Sequence, residues 1–116
     1  MRATLLRLHS PDVYDLRSWS PEGDFGILVQ LLVGPVGGPG EESFGITLCT
    51  AAWLAERARE ERIVDARHHV IVDAYDYDLV ERYLQERVVG LEGSTWEEVA
   101  ERLGRLGHWE FEDYRE

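Results

Sequence analysis

The residues of this chain that could carry out chemistry are a single cysteine and two adjacent histidines. Cys49 with His68 or His69 could form the nucleophile–base pair of a small hydrolase. A lone cysteine at the end of a strand is, however, most often a small buried hydrophobe. The histidines are neighbours in a predicted strand, so their side chains point to opposite faces and cannot bind one metal ion together. We therefore expect no enzyme, no catalytic residue, no metal ion and no cofactor.

The acids of the segment "DAYDYD" alternate as in a calcium-binding loop, but the Gly and the Glu of an EF-hand are missing at the required spacing. A helix cap explains Asp76, and a place in the first turn of the helix explains Asp78. Neither role explains Asp73, Tyr75 or Tyr77. Tyrosine supplies contact area at a low entropic cost, and acids attract a basic partner. The segment therefore predicts a partner-binding surface that includes Asp73, Tyr75, Tyr77 and Asp78.

The segment "GHWEFEDY" places aromatic residues among acids close to residue 116. In an extended conformation Trp109 and Phe111 face one side, and Glu110 and Glu112 face the other. We expect the two aromatic rings to pack against the sheet or the last helix. Glu110, Glu112 and Asp113 would then stay outside and contribute to the same partner-binding surface.

The charge of the chain restricts its partners. With 12 Arg, no Lys and 23 acids, the formal net charge is −11. Nucleic acid and anionic membranes are disfavoured as partners because both require the opposite sign of charge. The longest apolar run, residues 25–34, is about half the length of a membrane-spanning helix. We expect a cytoplasmic protein, monomeric or weakly dimeric, whose protein partner has a basic surface.

The hydrophobic pattern predicts one α+β domain over residues 1–116, with the element order βββ-α-β-α-α. We expect an antiparallel-to-mixed sheet of about four strands with two or three helices packed on one face. A glycine- and proline-rich segment, residues 34–42, would form the tip of a hairpin. The predicted strands are residues 3–9, 25–34, 43–49 and 67–75, and the predicted helices are residues 51–62, 77–89 and 94–107.

The helix boundaries follow from capping residues. Thr50 and Asp76 are expected to cap the first and second helices, and Ser94 with Glu97 matches the Ser-x-x-Glu capping box of the third. Glycines follow the second and third helices and predict their ends. The buried side of the first helix is predicted to consist of Trp53, Leu54 and Ala58.

Several stretches together resemble the immunity protein 8 family of bacterial polymorphic toxin systems. They are "FGILVQLLVGP", "GEESFGITLCTAAWL", "RHHVIVDAYDYDLVERYL" and "GSTWEEVAERLGRLGHWEFEDY", and the resemblance extends over residues 9–114. Family members often have Pro shortly after Cys-Thr, where this chain has Ala51 and Ala52. That difference concerns only a helix start, at which Pro is tolerated but not needed.

The resemblance implies a small cytoplasmic α+β protein that is encoded beside a toxin, binds it and neutralises it. No catalytic or binding residues carry over from the family. Two alternatives stay open at this point: the small hydrolase that uses Cys49 with His68 or His69, and an adaptor subunit that binds no toxin.

Overall fold

The computed structural model describes residues 1–109. The observed element order confirms the predicted order βββ-α-β-α-α and the α+β class, and a short fifth strand follows the last helix. The strands are β1 (Ala3–His9), β2 (Gly26–Pro35), β3 (Glu42–Thr50), β4 (His69–Val72) and β5 (His108–Trp109), and the helices are α1 (Ala51–Glu61), α2 (Tyr77–Val89) and α3 (Trp96–Leu103).

The strands form one mixed sheet in the order β1-β2-β3-β4. The strands β1, β2 and β3 form an antiparallel meander. The helix α1 then carries the chain to β4, which runs parallel to the last four residues of β3. The strand β5 pairs antiparallel with Phe44 and Gly45, near the start of β3. One side of β3 pairs with β2. The other side pairs with both β4 and β5.

The core lies between one face of this sheet and the helices α2 and α3. Successive side chains of a strand point to opposite faces, so alternate residues of β2 and β3 enter the core. The residues of these elements that form the core cluster are Ile27, Val29, Leu31 and Val33 on β2, Phe44, Ile46 and Leu48 on β3, Val80, Leu84 and Val88 on α2, and Val99, Ala100 and Leu103 on α3.

The helix α1 lies on the opposite face of the sheet. A side chain at Gly26 would point away from the core and would overlap the ring of Trp53, so the glycine makes room for the tryptophan. Every residue of α1 is at least partly exposed. The predicted buried side, Trp53, Leu54 and Ala58, is half-buried. The helix α1 has no fully buried residue, whereas α2 and α3 have three each.

Thr50 is the N-cap residue of α1, as predicted, but its hydroxyl makes no cap bond, and the predicted cap of α3 is wrong. Thr50 Oγ1 lies 3.2 Å from Phe25 N and accepts its hydrogen, so this hydroxyl bonds to the neighbouring chain segment and makes no cap bond to α1. The cap of α3 is Thr95, not Ser94, and its Oγ1 accepts from Glu98 N at 3.1 Å. The predicted cap of α2 is confirmed, since Asp76 Oδ1 accepts from Leu79 N at 3.2 Å.

The end of α3 is also earlier than predicted. The helix ends at Leu103, and a turn follows in which Gly104 N donates to Ala100 O at 3.0 Å. Gly107, the predicted end, lies instead where the chain enters β5. A side chain there would come within 3.2 Å of Phe44 Cβ, so glycine permits the close approach to β3.

The segment after α3 packs against the sheet, as predicted for Trp109. Its ring stacks on Phe44 with 6.3 Å between the ring centroids, and its Nε1 donates to Glu42 Oε2 at 3.0 Å. The predictions for Glu110, Phe111, Glu112 and Asp113 fall outside the described residues.

Candidate partner-binding surface

The cysteine and the histidines are engaged in the fold. Cys49 is fully buried, and burial raises the pKa of its thiol above the usual value, with a smaller opposing effect from Arg57. Burial therefore disfavours the thiolate, which is the nucleophilic form of the side chain. His68 Nε2 lies 2.6 Å from Gly104 O, and His69 Nδ1 lies 3.0 Å from Arg67 O, so each ring donates to a backbone carbonyl. The hydrolase hypothesis has no support from this geometry.

The two histidines also differ from the prediction in their backbone. His68 has a positive φ of 64° and precedes β4, which begins at His69. The premise that both side chains alternate across one strand is therefore wrong. Within residues 1–109, no group of three or more His, Cys, Asp or Glu side chains is arranged to hold a metal ion. The same residues contain no helix that is long and apolar enough to cross a membrane.

The start of α2 presents acids and a half-buried tyrosine. Asp73 and Asp78 are exposed. Tyr77 donates its hydroxyl hydrogen to Glu81 Oε2 at 2.8 Å. The guanidinium group of Arg17 lies 4.7 Å from the centre of the Tyr77 ring, which is a cation–π distance. Arg17 Nη2 also lies 3.6 Å from Glu81 Oε2. These contacts fix the orientation of Tyr77 and leave the neighbouring carboxylates to solvent.

Tyr75 occupies a different environment from Tyr77. Its hydroxyl donates to Leu16 O at 2.5 Å. Its ring meets those of Trp19 and Phe25 edge-on, with centroids 4.7 and 5.8 Å away. Trp19 and Phe25 also contact each other, so the three rings form one cluster. Tyr75 therefore fixes the loop between β1 and β2, and like Tyr77 it is half-buried.

The structure adds a residue that the sequence analysis missed. Tyr14, in the loop between β1 and β2, has a relative exposure of 107%. The bonds from Tyr75 to Leu16 and from Arg17 to Glu81 hold this loop against the start of α2. The segment "PDVYDL" has the same pattern of a tyrosine beside acids as "DAYDYD", and this signal was available in the sequence. We define the acidic tyrosine surface as Tyr14, Asp15, Asp73, Tyr77 and Asp78.

The environment of the two tyrosines near α2 has a consequence at alkaline pH. Burial raises the pKa of Tyr75 from 10.0 to about 12. Burial, followed by the hydrogen bond to Glu81, raises the pKa of Tyr77 to about 12. In the unfolded chain both tyrosines ionise near pH 10, so their contribution to stability is complete below that pH. Between pH 10 and 12 the unfolded state loses protons that the folded state keeps, and the free energy of unfolding falls.

We expect this fall to be shallower in the Tyr75→Phe variant, which keeps the ring and removes one ionisable group. The measurement is urea unfolding at intervals from pH 9 to 12. Below pH 10 the free energy of unfolding of the variant should be lower by only about 1 kcal/mol, which is the usual contribution of one hydrogen bond. Equal slopes for the variant and the unchanged protein would show that Tyr75 ionises normally in the fold.

Comparison with known proteins finds a family model that covers nearly the whole chain. The family described as Immunity protein 8 matches residues 3–114. No curated protein and no solved structure shows a significant match. Because the family match spans nearly the whole chain, this protein belongs to the immunity protein 8 family.

Proposed function

We propose that this protein binds a cognate bacterial toxin in the cytoplasm and neutralises it by stoichiometric association, without catalysis. The observation that carries the proposal is membership of the immunity protein 8 family over residues 3–114. The burial of Cys49 and the backbone hydrogen bonds of His68 and His69 support a binding role rather than an enzymatic one.

We further propose that the toxin offers a basic surface to the acidic tyrosine surface. The net charge of −11 is unevenly distributed, since residues 41–116 hold 19 of the 23 acids and nine of the 12 Arg. Acids of this kind attract a basic partner over a distance and raise the association rate more than the affinity. Tyr14 and Tyr77 would supply the contact area that is desolvated on binding. Glu110, Glu112 and Asp113 remain proposed contributors to this surface.

The first experiment tests the proposal as a whole. The probe is the toxin domain encoded beside the gene of this protein, produced together with it and purified as a complex. Titration calorimetry should give one toxin domain per immunity protein, and co-expression should restore the growth of cells that the toxin alone arrests. Absence of both binding and protection would contradict the proposed function.

Neutralising Asp73 and Asp78 together by Asn is expected to slow association about fourfold at low salt and to leave dissociation unchanged. Two unit charges about 10 Å apart in water interact with about 0.4 kcal/mol, so two lost charges account for about this factor. The measurement is the association rate at two salt concentrations. The matched control is Glu60→Gln on α1, which is exposed on the other face of the sheet.

The salt dependence of the rate should become flatter for the Asp73 and Asp78 variant and stay unchanged for the control, because salt screens charges that attract at a distance. Thermal unfolding of the variant is recorded as well. Asp78 lies in the first turn of α2, where its negative charge stabilises the helix through the helix dipole. If the control slows association about twofold, as the loss of one charge at any position on the surface would do, net charge alone attracts the toxin.

A further inference from the structure

The outer edge of β4 exposes backbone groups that could pair with another strand. In the described part of the chain, β4 ends the strand order and pairs only with β3. Thr47 N donates to His68 O at 2.9 Å. In a parallel ladder, alternate residues turn both backbone groups toward the neighbouring strand. The residues Val70 and Val72 therefore bond to β3, and the N–H and C=O of Ile71 point outward.

The other edge of the sheet is protected in ways that β4 is not. The strand β1 has a bulge between Leu5 and Arg7, and Leu5 N donates to Gln85 Oε1 of α2 at 2.8 Å. Bulges, charges and covering elements are the usual means by which proteins prevent the pairing of an edge strand. The four residues of β4, "HVIV", include no Asp, Glu, Lys or Arg and form a regular ladder with β3. The open edge of β4 is suited to accept a strand.

An apolar groove runs beside this edge. It has a volume of about 540 Å³ and lies between β4 and the outward side of α2. Its most exposed apolar residues are Ile71, Leu79 and Tyr83, with relative exposures of 54%, 47% and 41%. Asp73 and Asp76 line the same groove. Pockets for side chains beside an open strand edge are the features by which a sheet recognises an extended peptide.

We propose that the toxin adds an extended segment to the sheet along the outer edge of β4. Apolar side chains of this segment would enter the groove between β4 and α2, and a basic side chain would lie at its rim near Asp73 and Asp76. The inference rests on the proposed function and specifies how the toxin is held. It also joins the groove to the acidic tyrosine surface, since Asp73 belongs to both.

Charge distinguishes the toxin from the other segments that could lie on this edge. A second copy of this chain also carries a net charge of −11, so two copies would repel each other at a groove lined by Asp73 and Asp76. A basic extended segment has the sign of charge that a second copy lacks.

The test compares Ile71→Pro with Ile71→Ala. Proline removes the outward N–H and is tolerated on an edge strand where that group makes no ladder bond. Alanine keeps the N–H and shortens the side chain. We expect Ile71→Pro to bind the toxin domain at least about tenfold more weakly than Ile71→Ala, while both variants unfold at similar temperatures. Ile63→Ala, which changes an equally apolar and even more exposed residue outside the groove, should leave binding unchanged.

Amide hydrogen exchange gives an independent measurement on the unmodified protein. The Ile71 amide should exchange quickly in the free protein and slowly in the complex. If the toxin domain binds but Ile71→Pro binds as well as Ile71→Ala, or the Ile71 amide stays unprotected, strand addition is wrong and the proposed function stands. If the unmodified protein sediments as a dimer in the absence of toxin and the Ile71→Pro variant sediments as a monomer, the occupant is a second copy. If the unmodified protein binds no toxin, both proposals fail.

Discussion

Replacing Tyr14 by Ala is expected to weaken toxin binding about 30-fold and to leave the unfolding temperature unchanged. A tyrosine that becomes desolvated at an interface commonly contributes about 2 kcal/mol, and about 1.4 kcal/mol corresponds to a factor of ten in affinity. Tyr14 is fully exposed in the free protein, so its removal costs the fold little. Calorimetric titration with the toxin domain and thermal unfolding are the two measurements.

Two further variants separate a local contact from a general effect. Tyr75→Ala should lower the unfolding temperature, which Tyr14→Ala leaves unchanged, because it removes a ring from the cluster with Trp19 and Phe25. Val36→Ala changes a residue with 61% exposure in the glycine-rich hairpin tip, residues 34–42. If the Val36 variant loses affinity and the Tyr14 variant keeps it, the toxin binds at the tip.

Replacing Trp109 by Ala is expected to lower the free energy of unfolding by about 2 to 3 kcal/mol. Loss of a fully buried Trp costs about 3 to 5 kcal/mol, and Trp109 is half-buried. Its ring covers Phe44, which is almost completely buried and lies in the middle of the core. A loss of this size is a large part of the 5 to 15 kcal/mol that typically stabilises a domain. Urea unfolding followed by circular dichroism measures it.

The conservative variant Trp109→Phe separates the contribution of ring stacking to stability from that of the hydrogen bond. Phenylalanine keeps much of the stacking on Phe44 and loses the bond from Nε1 to Glu42, so we expect a cost of about 1 kcal/mol. If Trp109→Ala unfolds like the unmodified protein, β5 contributes nothing to stability. The aromatic residue would then be available to a partner.

Local patterns in the sequence determined the element order and the core. The alternation of Phe25, Ile27, Val29 and Leu31 predicts a strand with one buried face, and these residues are buried. The recurrence of Val80, Leu84 and Val88 at helical spacing likewise predicts the buried side of α2, which the structure confirms. Both patterns follow from the geometry of a single strand or helix, so a sequence is sufficient to read them. The motifs that resemble the immunity protein 8 family are local in the same sense.

Only the tertiary structure decided how individual polar and aromatic groups are used. Tyr75 and Tyr14 both lie beside acids in the sequence, but Tyr75 is partly buried against the core and Tyr14 is fully exposed. The difference arises because the partner of the Tyr75 hydroxyl, Leu16, is 59 residues away along the chain. In the same way, Thr50 is the N-cap residue of α1, but its hydroxyl bonds to a residue 25 positions away instead of to the first turn of that helix. The open edge of β4 depends on which strands pair, and that pairing is settled only when distant segments meet.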